Sequence, residues 1–145
     1  MSTSSLYLIV KQTVARYCSY QERNRREVEN KIATFEGLSP AAMQQLVEEL
    51  IEENFLDEQR YTAAFVHDKF YLNKWGKRKI YHSLLGTGIA DKLIQDALSQ
   101  IPLEDYKKTA TTLAQKKKTS LGSSDAEAII LIVKEKAKFF GAPPT

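Results

Sequence analysis

Apolar residues recur at helical spacing along almost the whole of this 145-residue chain, and that pattern confines it to helices. Leu6, Ile9, Val10, Thr13, Val14 and Tyr17 fall at i, i+3, i+4, i+7 and share one face. In "SPAAMQQLVEELIEENF", Ser39 is the expected N-cap and Pro40 the first helical residue. Met43, Leu46, Val47, Leu50 and Ile51 then form the stripe. Gly37, just ahead, is placed to end the preceding helix in a left-handed turn. "IADKLIQDALSQI" sets Ile89, Leu93, Ala97, Ile94, Leu98 and Ile101 on one face. "SDAEAIILIVKEKAKFFG" opens with Ser124 and Glu127 at capping-box spacing and stops at Gly141, before two prolines. The strand-like run "AIILIV" lies inside that capped, charged frame. The expected class is all-α.

The chain also echoes itself at a spacing of roughly 50 residues, the signature of a repeat array. "RREVENKIATFEGLSPAAMQQLVEEL" and "KRKIYHSLLGTGIADKLIQDALSQI" share one plan. Val28 pairs with Ile80, Ile32 with Leu84, Gly37–Leu38 with Gly88–Ile89, and Val47 with Leu98. Tandem three-helix units follow, each burying its face against the next in an elongated, curved array. The expected units are residues 6–56, residues 57–102, and an incomplete third over 103–141. Chance similarity between helical hairpins is the competing account of the echo.

The formal net charge of +3 conceals its distribution. Residues 11–35 hold six Lys/Arg against three Glu, whereas residues 36–60 hold seven acids against Arg60. Residues 69–90 carry Lys69, Lys74, Lys77, Arg78 and Lys79 with no acid, and "KKK" closes the segment 104–120. Candidate polyanion contacts are therefore Arg23, Arg25, Arg26 and Lys31, then Lys74, Lys77, Arg78 and Lys79, then Lys116, Lys117 and Lys118. Stacked units would align them as a basic stripe beside an acidic one. An ordinary solvated face is the alternative that charge leaves open, yet such a face normally interleaves both signs. Phe70, Tyr71, Trp75 and Tyr81 lie among these cations. At helical spacing such rings are more often core filler than base platforms, so the weight falls on Lys and Arg.

No motif supports catalysis, so no catalytic residue, metal or cofactor is expected. His67 and His82 lack ligand spacing, Cys18 has no activating histidine, and "GTG" at 86–88 lacks the strand and lysine of a phosphate loop. Glu48, Glu49, Glu52 and Glu53 read as a solvent face without a companion base. A single cysteine precludes an intrachain disulfide. The opening "MSTSSLYLIVKQTVARY" does not read as a signal peptide, and no run reaches the roughly 20 apolar residues a membrane span needs. A soluble cytoplasmic protein is expected.

Residues 56–89, "LDEQRYTAAFVHDKFYLNKWGKRKIYHSLLGTGI", resemble the core signature of the RecX regulatory proteins. Asp57, Glu58, Arg60, Tyr61, Phe65, Val66, Gly76, Arg78, Ile80, Leu84, Gly88 and Ile89 occupy its positions. "RNRREVENKI" is similar to the family's upstream Arg-rich helix through Arg23, Arg26, Glu27, Val28, Lys31 and Ile32. The likeness spans roughly residues 10–101, and none of its residues is catalytic. It implies tandem three-helix repeats that modulate the RecA recombinase, commonly by inhibition, in DNA repair, recombination and the SOS response. It further implies partners in the RecA–DNA filament and in single- or double-stranded DNA bound without sequence preference, by a monomer. The chain departs from the pattern at "KEKAKFFGAPPT", where the family's last helix is expected. A free-standing, sequence-nonspecific DNA- or RNA-binding helical module is the alternative function.

Overall fold

The structure, a computed structural model, describes residues 3–121, with side chains described over 5–115. The helix expected from "SDAEAIILIVKEKAKFFG" and the side chains of Lys116, Lys117 and Lys118 lie outside the described residues. Among the described residues there are seven α-helices and no strand, as the periodicity predicts. They are α1 (Thr3–Tyr20), α2 (Arg25–Ala33), α3 (Pro40–Glu52), α4 (Glu58–Tyr71), α5 (Lys77–Gly86), α6 (Asp91–Ser99) and α7 (Leu103–Leu121). Two compact units divide the chain between residues 64 and 65.

In the first unit α1, α2 and α3 all pack on one another. Helices as short as α2, with nine residues, are marginal alone and are held by the stripe they bury. That core contains Val10, Val14, Cys18, Val28, Ile32, Leu46, Val47 and Leu50. Two sequence expectations need correction. Ile9 and Ile51 are 44% and 43% exposed, and Cys18 takes the inward position instead. The buried line of α1 steps by four through Val10, Val14 and Cys18, which turns Ile9 outward.

Caps fix where these helices begin. The Ser39 side chain accepts from Ala42 N–H at 3.1 Å, and Pro40 follows as expected. Asn24, which is buried, accepts from Glu27 N–H at 2.8 Å while Glu27 accepts from Asn24 N–H, a complete capping box. Lys11 of α1 bridges Glu49 of α3 at 2.9 Å and Glu53, the C-cap of that helix, at 3.1 Å. Half of the expected glutamate solvent face is thus an inter-helix tie.

In the second unit α5 packs on α6, and the Tyr81 hydroxyl donates to Asp91 to join them. Ile80, Leu84, Ile89, Ile94 and Leu98 are buried, so every apolar partner in the echo between the two halves is buried. Gly88 ends α5 with positive φ (94°), and Ile89 N–H reaches Leu84 O while Gly88 N–H reaches Leu85 O. Gly37 also has positive φ (101°) but does not cap α2, which stops at Ala33 with Thr34 as its C-cap. It turns the linker instead, so that Leu38 can enter the core.

Two measurements test these assignments. Ala has a cost of about 1–2 kcal/mol in the left-handed region, so Gly37→Ala and Gly88→Ala should each lose about that in urea unfolding. At Gly37 a Leu6 methyl, 2.8 Å from the added carbon, must also move. Gly86→Ala, with nothing within 4 Å, should be neutral or gain up to about 1 kcal/mol.

Hydrogen bonds from Gln45 and then from Lys11 lower the Glu49 carboxyl from 4.5 to about 2. A carboxyl depressed by folding stabilises above its unfolded value and loses that contribution as pH falls through the folded value. Between pH 4.5 and about 2, Glu49→Gln should therefore flatten the fall in melting temperature of the whole chain.

Candidate nucleic-acid interface

The acid-free stretch becomes a loop and a helix start in the second unit. After α4, Lys74 adopts a left-handed conformation (φ 59°), and Trp75 N–H returns to Lys69 O at 2.9 Å. This fold-back sets the Trp75 ring, half-buried, edge-on to Phe65 with centroids 6.5 Å apart. Two ammonium groups then converge on the indole: Lys79 at 4.2 Å and Lys69 at 4.8 Å from its centroid. Lys77 sits 4.7 Å from the buried ring of Tyr106. Lys74 and Arg78 are exposed.

None of Lys69, Lys74, Lys77, Arg78 and Lys79 forms an ion pair among the described residues. A ring positions a cation without cancelling its charge, in contrast to a carboxylate. The field of this cluster therefore remains available to an anion. Trp75 is at once filler and a support for cations, a role that helical spacing alone did not suggest. Lys69, which the candidate set omitted, belongs with Lys79.

The first unit gathers its cations differently. Arg23 lies 3.7 Å over the Tyr17 ring, donates to Tyr17 O at 3.2 Å and approaches Glu27 at 3.9 Å. Lys31 approaches the same ring at 5.4 Å. Arg25 reaches Glu29 at 3.8 Å, an exposed pair of small energetic consequence. Arg26 is exposed. Arg23 braces its own unit, whereas Lys69, Lys74, Lys77, Arg78 and Lys79 pair with no carboxylate among the described residues.

Among the described residues no three His, Cys, Asp or Glu side chains gather as a metal site. Burial pushes the Cys18 thiol up, away from the reactive thiolate form. Among the described residues no helix is long and apolar enough to cross a membrane.

The family description "RecX, second three-helix domain" matches residues 57–98, the stretch that holds this cluster. The regulatory protein RecX of Lactobacillus johnsonii is 35% identical over 95 residues, covering 66% of this chain and 35% of that protein. That of Clostridium botulinum is 35% identical over 109 residues, covering 73% and 50%. The chain carries the RecX second three-helix domain over residues 57–98 and is similar to the regulatory proteins RecX. The crystal structure of RecX from Lactobacillus salivarius shares the fold with a TM-score of 0.82 at 21% identity, covering 96% of this chain and 90% of that one. A second structure, titled regulatory protein RecX, gives 0.79 at 19% identity, covering 97% and 70%. The chain spans a third to about half the length of the curated RecX proteins it matches, 35% and 50% for these two.

The RecX-like segment "LDEQRY" has a structural account here. Asp57 caps α4 by accepting from Gln59 and Arg60 N–H at 3.0 and 3.1 Å. Glu58 accepts from Arg25 N–H at 3.0 Å at the start of α2. Arg60 binds Glu22 at 2.6 Å and donates to Asn54 O at 3.0 Å, just past α3. These residues join helices; the cations downstream face outward.

Lys74 gives a test with opposed signs. Lys74→Gly removes a left-handed strain of about 1–2 kcal/mol and returns part of it as unfolded-chain entropy, so a net gain below about 1 kcal/mol is expected. The same change deletes one cation, so the log–log salt slope for DNA should fall by about 1. Thermal unfolding and binding titrations on one preparation read both.

Proposed function

We propose that this chain is a regulatory protein that acts on the RecA–DNA filament and lowers RecA's recombinase and ATPase activity. The supporting observation is the group of Lys69, Lys74, Lys77, Arg78 and Lys79 inside the family-matched stretch, which pairs with no carboxylate among the described residues and of which Lys69, Lys77 and Lys79 lie over aromatic rings. Phosphates of a nucleoprotein filament are the natural counter-charge for such a group, and contacts of this kind position a protein without reading sequence. The likeness to proteins named regulatory protein RecX supports RecA as the partner. The three-helix units 6–56 and 57–102, followed by a third from 103, are part of the same proposal, as is action as a monomer.

The decisive assay is single-stranded-DNA-stimulated ATP hydrolysis and strand exchange by RecA with increasing amounts of this protein. Both should fall. Arg78→Glu with Lys79→Glu alters exposed side chains and should relieve the inhibition while costing no more than about 1 kcal/mol of unfolding free energy. Neutralising five phosphates gives a log–log salt slope of roughly −4 to −5. RecA activity unchanged at saturating protein would overturn the reading. Tight binding to bare DNA in that same case would make the chain a free-standing nucleic-acid-binding module.

A further inference from the structure

A groove of about 300 Å³ lies between the end of α4 and α7, lined by Tyr71, Lys74, Asp105, Lys108, Thr109 and Leu113 among others. Its chemistry is two-sided. Tyr71 and Leu113 offer an aromatic ring and an apolar side chain, while Lys74 and Lys108 bring two ammonium groups. One carboxylate, Asp105, is also present, but the Tyr71 hydroxyl already donates to it at 2.6 Å. Neither lysine forms an ion pair among the described residues, so two cations face one engaged carboxylate. The Thr112 hydroxyl is directed to Lys108 O at 2.8 Å, whereas Thr109, half-buried, retains its hydroxyl for a ligand.

A groove with a net charge of about +1, an apolar wall and a hydroxyl matches one phosphodiester with its attached nucleoside. Its volume sits at the lower end of small-ligand sites, roughly 300–1,000 Å³. A bare inorganic anion would leave the apolar wall unused, and an aliphatic ligand would strand two ammonium groups. We propose that this groove seats a single nucleotide of a single-stranded nucleic acid, its phosphate between Lys74 and Lys108 and its sugar or base against Tyr71 and Leu113. The site shares Lys74 with the cation cluster around Trp75, whose other members lie outside the groove. It rests on the nucleoprotein reading for the identity of the strand and supplies what that reading lacks: a place where one unstacked residue is held. Stacking on an aromatic side chain tolerates any base, so no sequence preference is required.

The test is a titration of the full chain with the dinucleotide dTpdT, followed by NMR shifts of the Thr109 and Leu113 methyl groups. Both should move in a saturable manner. Lys108→Glu should weaken binding at least about tenfold, the scale of a lost charge-assisted contact. Lys107→Glu makes the same change in net charge on a neighbouring exposed residue outside the groove and should have little effect. Methyl groups that stay still up to millimolar dinucleotide would overturn the proposal, as would equal losses in the two variants. The outcome separates from that of the RecA assay. Inhibition of RecA with no dinucleotide shift removes the groove and leaves the filament reading standing. Saturable dinucleotide binding with RecA unaffected does the reverse.

Discussion

Short helices must each bury a stripe or fail, and that constraint arranges the rest of this molecule. With nine residues in α2 and in α6 and ten in α5, intrinsic helicity contributes little, and the packing of one face decides whether they form. Packing one face commits the others to solvent or to neighbours. Val28, Ile32, Ile80 and Leu84 are fully buried, so Arg25, Arg26, Arg78 and Lys79, on the same two helices, are turned outward. The cationic surface is thus a by-product of the core's periodicity before it is anything functional.

The chain must also reverse sharply between such short elements, and among the described residues left-handed ones do this at four places: Gly37, Asn54, Lys74 and Gly88. Glycine and asparagine accept that conformation readily; lysine does not. A strained, exposed lysine between α4 and α5 is therefore notable, since observed strain often accompanies function. At Lys74 the strained backbone brings Trp75 back toward Lys69, which completes the cation cluster. The same residue lines the groove against α7.

Much of the fold was legible in the sequence because it depends on local rules. Ser39 and Pro40 announce α3, and Gly88–Ile89 announces the end of α5, through chemistry contained in a few neighbouring residues. Gly37 misled because a positive φ can serve a linker as well as a helix end, and which it serves depends on where α2 frays. Ile9 and Ile51 misled because a helical stripe has a width, and only packing partners decide its edges. At the site, the cations were legible as residues but not as free or engaged ones. Lys11 meets Glu49 and Glu53, and Arg60 meets Glu22, across separations of 38 to 42 residues that no local pattern encodes.

The two units solve one electrostatic problem in two ways. In each, cations gather on an aromatic ring: Arg23 and Lys31 on Tyr17, Lys69 and Lys79 on Trp75. Around Tyr17 the gathering is closed by Glu27 and by a backbone carbonyl, so the guanidinium is engaged within its unit. Around Trp75 no carboxylate among the described residues closes it. Like charges held close together raise the free energy of the folded chain unless an external anion relieves them, and their field falls off over about 8–10 Å at physiological salt. A cluster kept open in this way is poised for a polyanion, and its repulsion is released only when one arrives. The aromatic ring holds the ammonium groups in place beforehand, so less side-chain freedom is lost on binding than for lysines free in water. This difference between a closed and an open ring, and not the count of basic residues, separates a brace from an interface.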